Sequence, residues 1–276
     1  MDTKSLSGES DIRSFSVRSD VGAHADPNQA IAPVVAQDLE GGQFRFVGTA
    51  FFIMVNGLIV TAKHILDDVR EDGKVVGPIG IIHFIGKNTF YIRNIKKSYE
   101  YPNSDVTLAL LDQPRHKVTG EPLLNKVLTL NLYEANTGDR VFTYAYPKTS
   151  VDIKEKQHVF RIVPSIYEGT LVTEFPEGRD STMLPNPCWK TDMHIHGGAS
   201  GGPVFNENGH VIGINSTSFP VDPSCSFIST LNHIQNLRVQ EVSVPDKKLS
   251  NPTVRELIDA GLISTADNKS FEKDKC

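Results

Sequence analysis

Cysteine is scarce in this chain: among 276 residues there are three, Cys188, Cys225 and Cys276, odd in number and without a CxxC spacing. That excludes a disulfide framework and a structural zinc site as organising devices. Buried or free thiols are the reading, because a Cys188–Cys225 pair would need an oxidising compartment. Long hydrophobic runs are missing as well. The longest, around residues 55–60, is interrupted by Asn56 and Gly57 and falls far short of the ~20 residues of a membrane helix. An excess of positive charge is also absent: 28 Lys+Arg stand against 33 Asp+Glu, a formal net charge of -5. A partner bound by phosphate neutralisation, such as a nucleic acid, is therefore not expected, and neither is a membrane. Residues 1–28 carry no apolar core of the secretory type, so with Met1 as the natural start a cytoplasmic protein is expected.

What the chain does have is 39% hydrophobic residues, enough for a packed core and well above a disordered composition. Short β-branched and aromatic runs recur at 31–36, 44–55, 58–62, 75–85, 90–95, 107–111, 141–146, 159–163, 169–172, 204–205 and 210–214, with Gly, Pro and Asn between them. Such lengths and punctuation point to an all-β barrel or sandwich rather than βαβ units. Helical spacing is limited to residues 229–239 and to a segment with Asn251 as cap, Pro252 at the first position and Gly261 as stop. Residues 113–126, with Pro114, Gly120 and Pro122, read as a connection between two β units. The expected organisation is a mobile tail over 1–28, a β unit over 29–125, a second over 126–240, and a helical extension with a frayed end over 241–276.

The chemistry concentrates in TDMHIHGGASGGPVF, residues 191–205. A serine set among glycines suits a hydroxyl exposed on a tight turn, with the N–H groups of Gly198 and Ser200 converging on a developing oxyanion. A glycine-rich β turn would have the same composition. Serine needs a base and an orienting carboxylate to become a nucleophile. Among nine histidines, His64 stands at the end of the apolar run 58–62. Asp105 opens the run 106–111, where an acid ahead of buried residues calls for a partner.

These three segments, in the order His64, Asp105, Ser200, resemble the chymotrypsin-fold (trypsin-like) serine proteases. Thr191-Asp192, Ile195, the Gly198-x-Ser200-Gly-Gly-Pro203 block, residues 211–215 and Ser226-Phe227-Ile228 resemble most closely the HtrA/Deg-type branch, as does Thr137-Gly-Asp-Arg-Val141 ending in Tyr146-Pro147. The resemblance covers about residues 30–235. It implies an all-β fold of two antiparallel six-stranded β-barrels with a C-terminal helix. It also implies a cofactor-free, metal-free endopeptidase acting on proteins or peptides through His64, Asp105 and Ser200, with Gly198 and Ser200 as oxyanion donors. Substrate contacts are implied at His194, Ile195, Asn215, Ser216 and Thr217, with the peptide added as a strand along 215–217.

Four departures qualify it. Ala199 replaces the aspartate that pairs with a freed N-terminus in digestive relatives. His194 replaces the acid of the trypsin branch, and Asn215 the histidine of glutamyl endopeptidases, so with Ile195 narrowing the wall a small or medium uncharged residue before the cut is expected. Only about 40 residues follow the last barrel strand, under the ~50 of a small domain, so the usual PDZ domain is not expected. His194 and His196 as a metal-binding HxH pair would lack a third ligand. A non-catalytic or latent peptide-binding module on the same fold, switched by a regulatory partner, is the alternative.

Overall fold

The computed structural model describes residues 26–38, 42–71, 74–75, 77–86, 89–115, 118–133, 135–154, 157–219, 222–244 and 249–266. A single helical turn, α1 (Pro27–Ala30), leads into β1 (Ile31–Gln37), β2 (Phe44–Phe52) and β3 (Leu58–Ala62). After the short helix α2 (Lys63–Asp67) come a small ribbon, β4 (Arg70–Glu71) and β5 (Lys74–Val75), then β6 (Ile79–Gly86), β7 (Thr89–Glu100) and β8 (Val106–Leu111). Strands β1-β2-β3-β8-β7-β6 close into an antiparallel barrel.

The second half repeats this plan with β9 (Arg140–Ala145), an outlying hairpin β10 (Ser150–Lys154) and β11 (Gln157–Arg161), then β12 (Ser165–Phe175), β13 (Cys188–Thr191), β14 (Pro203–Asn206), β15 (Val211–Phe219) and β16 (Asp222–Thr230). Here β12-β13-β16-β15-β14-β9 form the second closed barrel. A 3-10 turn (Asn232–Asn236), the ribbon β17 (Ser243–Val244) and β18 (Leu249–Ser250), and α3 (Val254–Asp259) complete the chain. The two six-stranded barrels and the C-terminal helix are as the sequence implied.

Every residue of β3 and β8 is buried. Both faces of these strands are covered, which is why 58–62 and 106–111 read as near-continuous apolar runs, broken only by Thr61 and Thr107, instead of alternating ones. The main core joins Phe51, Phe52, Leu58 and Leu108 of the first barrel to Phe142, Tyr146 and Phe205 of the second, and then to Leu231, Ile234 and Leu257 of the C-terminal segment. Each such side chain contributes roughly 1.5–3 kcal/mol by leaving water. Within the described residues no helix is long and apolar enough to cross a membrane.

Several local expectations are corrected. The tail does not reach Asn28: Asp26 caps α1 by accepting from the Asn28 N–H at 3.0 Å, and Asn28 Oδ1 accepts from the hydroxyls of Tyr144 at 2.6 Å and Tyr146 at 3.2 Å. Residues 1–25 lie outside the described residues. Nor does the end fray at Ile263, since Ser264 O and the Ala266 N–H bond to Leu130; residues 267–276 lie outside the described residues. Residues 229–239 contain the end of β16 and a 3-10 turn, because Ser229 and Thr230 are taken up by sheet pairing with Cys188 and Gly213. The cap of α3 is Thr253, whose capping box with Glu256 outcompetes Asn251, itself in the left-handed region at φ 55. The run 75–85 splits into β5 and β6.

Cys188 is a buried free thiol, and burial pushes it up to about 11. The Cys225 side chain and Cys276 lie outside the described residues.

Candidate active site

His64 leaves the barrel at the point where β3 turns into α2, so the imidazole stands in a one-turn helix just past the run 58–62. Its Nδ1 lies 2.8 Å from Asp105 Oδ1, and its backbone N–H donates to the same oxygen at 3.2 Å. Asp105 is 8% exposed, one residue ahead of β8, so its charge is shielded from water and its strongest partner is the ring. Burial alone would lower the imidazole pKa. The hydrogen bond and charge of Asp105, helped by Asp67 and Asp68, outweigh it and leave His64 raised above 6.5.

Ser200 comes from the other barrel, on the turn between β13 and β14. Gly198 and Gly201 take φ values of 89 and 77, closed to most side chains. A Cβ on Gly198 would stand 2.6 Å from the Phe46 ring, and one on Gly201 would collide with Thr49 O and Thr61 Oγ1. Two tight contacts hold the turn, Ala199 N–H to His196 O at 3.2 Å and Gly202 N–H to Ala199 O at 2.9 Å. Among the described residues, neither the Gly198 N–H nor the Ser200 N–H donates to a protein acceptor. The Ser200 hydroxyl donates to Ser216 O at 3.2 Å.

Beside His64 lies a cleft of about 410 Å³, bounded by Asp67, Asn103, Asp105, Met183, Pro185 and Thr217 among others. β15 keeps β16 as a partner out to Phe219, but its pairing with β14 ends at Ile214. Asn215 then uses both backbone groups on Gly201 and Gly202, and the next carbonyl along the strand, Ser216 O, accepts the Ser200 hydroxyl.

This corrects the role expected of Asn215. It is 2% exposed and its Nδ2 donates to Thr143 Oγ1 and Ala199 O, so its side chain supports the serine turn from inside the barrel. Ser216 turns its hydroxyl inward to Ser229 at 2.6 Å. Ile195 is 7% exposed in the second barrel's apolar cluster with Leu171, Trp189 and Met193. His194 faces solvent between two inward side chains, so it is not a closed pocket floor.

The family model for the trypsin-like peptidase domain matches residues 48–214, which contain all three segments just described. The chain belongs to the trypsin-like peptidase domain family. It is 27% identical over 177 residues to a probable periplasmic serine endoprotease, DegP-like, of Pseudomonas putida (strain W619). That match covers 63% of this chain and 29% of the relative, so the chain spans less than a third of the length of the curated relative it matches. Among solved structures it is similar to Deg5, at 19% identity and a TM-score of 0.53, covering 75% of this chain and 86% of that one. It is also similar to the HtrA-type protease AlgW with decapeptide, at 17% identity and 0.51, covering 75% and 62%. The HtrA/Deg-type resemblance in the sequence is thus found again in the relatives.

For a trypsin-like peptidase domain, the structure adds residues that sequence reading missed. Thr49 donates from its backbone to Ser200 O at 2.9 Å and from Oγ1 to Gly198 O at 3.1 Å. Asn186 accepts from the Asp105 N–H at 3.1 Å, and Ser104 Oγ lies 2.6 Å from His233 Nε2. Thr49 sits in the run 44–55 and was within reach. Asn186 and His233 carry no local signal, because only the tertiary fold brings them to Asp105 and Ser104 respectively.

Proposed function

We propose that this chain is a serine endopeptidase hydrolysing peptide bonds in protein or peptide substrates through Ser200, His64 and Asp105. The observation that carries the reading is the His64–Asp105 couple at 2.8 Å on one barrel, together with a serine turn on the other whose Gly198 and Ser200 N–H groups meet no acceptor among the described residues. In the reaction the Ser200 hydroxyl turns from Ser216 O toward His64 Nε2 and gives up its proton as Oγ attacks the scissile carbonyl. Asp105 keeps the Nδ1 proton in place and stabilises the imidazolium. The N–H groups of Gly198 and Ser200 accommodate the oxyanion. His64 then protonates the leaving amine, and water repeats the sequence on the acyl-enzyme.

The acyl side of the substrate pairs along the edge from Ser216 to Thr217 and enters the cleft beside His64. For the residue before the cut, the reading is small to medium and uncharged. Asp192 is no counter-charge for lysine or arginine, since its carboxylate is held by the Thr170 N–H and hydroxyl at 2.6 and 2.9 Å.

A second reading, a latent or non-catalytic peptide-binding module, is favoured by the Ser200–Ser216 bond. An active-site-directed fluorophosphonate decides between them: labelling at Ser200, abolished by Ser200→Ala, supports the enzyme. No labelling under any condition supports the module. Peptide-library cleavage with the Ser200→Ala control then reads the preference; dominant cleavage after arginine or lysine overturns the pocket assignment.

A further inference from the structure

Among the described residues, His64 alone donates to the Asp105 carboxylate, and both of its bonds fall on Oδ1. The direction of that carboxylate is therefore set mainly by the Asp105 backbone. Its C=O accepts from the Lys63 N–H, inside the first barrel. Its N–H crosses to the other half of the molecule and donates to Asn186 Oδ1 at 3.1 Å.

Asn186 is suited to hold that position. It is 2% exposed, and it lies between Pro185 and Pro187. Pro187 restricts the residue before it to extended conformations, so the side chain springs from a stiff segment. Its Nδ2 donates to Pro187 O at 3.0 Å, and Ser229 Oγ approaches Oδ1 at 3.5 Å. Carbonyl toward N–H and amide toward carbonyl fix the orientation of the group. Ser229 in turn meets Ser216, whose carbonyl receives the Ser200 hydroxyl. One polar chain thus runs from Asp105 to Ser200 through buried side chains of the second barrel.

We propose that Asn186 is a positioning residue that holds Asp105, and through it His64, in register with Ser200 across the barrel junction. This inference rests on the assignment of Ser200, His64 and Asp105 above. Asn186 touches no reacting atom. Its loss would leave a buried N–H unpaired and let the Asp105 turn relax away from the ring. The neighbouring Ser104 remains held through His233 and the Val106 N–H, so the change stays local.

The test compares the full chain with Asn186→Ala and with the isosteric Asn186→Asp, which keeps an acceptor for the Asp105 N–H. In Asn186→Ala, kcat for a library-derived peptide falls about 100-fold, the scale of a small misplacement in a catalytic constellation, while KM stays within about twofold. The His64 titration midpoint, followed by NMR, falls toward 6.5 as the Asp105 bond loosens. Asp67 and Asp68 still raise it, and Lys63 stays paired with Asp67. In Asn186→Asp, kcat recovers in part and the midpoint rises, because a second carboxylate faces the site.

Wild-type kcat with an unmoved midpoint in Asn186→Ala overturns the inference, as does a rise in KM alone. If that variant fails to fold, an unmoved midpoint in Asn186→Asp overturns it. The titration needs no turnover, so a wild-type chain that neither hydrolyses peptides nor takes the fluorophosphonate sinks the protease reading separately.

Discussion

Thr49 grips the serine turn twice, giving its backbone N–H to Ser200 O at 2.9 Å and its hydroxyl to Gly198 O at 3.1 Å. The same hydroxyl accepts from the Tyr146 N–H at 3.3 Å. Thr49 is fully buried, so Thr49→Val keeps the shape but strands the Tyr146 N–H and frees the Gly198 carbonyl. A loss of about 1–3 kcal/mol in urea unfolding is expected, with a slower fluorophosphonate reaction at Ser200.

Ser200→Ala should remove turnover and leave unfolding unchanged, and His64→Ala should be nearly as damaging, because members of such a unit do not contribute additively. The expected fall is ~10³-fold or more. Either variant retaining above about a tenth of wild-type kcat/KM would remove it from the mechanism.

The pH profile follows from the raised His64 pKa. The base form is needed, so kcat/KM should climb with pH through a midpoint above 6.5. Asp105→Asn removes the hydrogen bond and charge that raise it, and its residual activity should show a midpoint shifted to lower pH. A midpoint unmoved by that substitution would detach Asp105 from His64.

Acid should weaken the fold through two other histidines. His83 is brought down to about 4 by burial and by the nearby Arg93 charge, and His233 to about 4 by burial. Between about 6.5 and 4 the unfolded chain takes up protons that the folded chain refuses, so stability falls as pH drops through that window. The combined loss is on the order of a few kcal/mol. Urea midpoints at pH 7 and 4.5 measure it, and His83→Gln should flatten the dependence.

Asn28→Ala tests the corrected N-terminal boundary. It removes the acceptor of the Tyr144 hydroxyl and one of two acceptors of the Tyr146 hydroxyl, which keeps Ile31 O at 2.9 Å. A melting temperature lowered by several degrees is expected, matching about 1–3 kcal/mol; an unchanged one would return Asn28 to the tail.

The barrels, the helix at Val254 and the segments carrying His64, Asp105 and Ser200 were legible because each is local: apolar runs of strand length, a glycine-framed serine, an acid before a buried run. Side-chain destinations were not. Asn215 was expected to meet substrate, yet its backbone bonds to Gly201 and Gly202 and its Nδ2 to Thr143 and Ala199, while Oδ1 is buried without a partner among the described residues. His194 and Ile195 alternate between solvent and core, which only the path of the chain after β13 decides. Arg93 stands in the run 90–95 with no local sign of its partners. The fold buries it at 2% exposure against Asn125, the Asp112 carbonyl and the Phe52 ring.

The segment joining the barrels is itself laced in place. Leu128 donates to Phe52 O of the first barrel, Thr129 and Asn131 exchange bonds with Val211 of the second, and Leu130 is bound to Ser264 and Ala266. A connector so shared cannot serve as a hinge, and neither barrel can open without breaking what holds the other. The molecule should therefore lose its structure in one cooperative step, a single calorimetric transition with matching van't Hoff and calorimetric enthalpies.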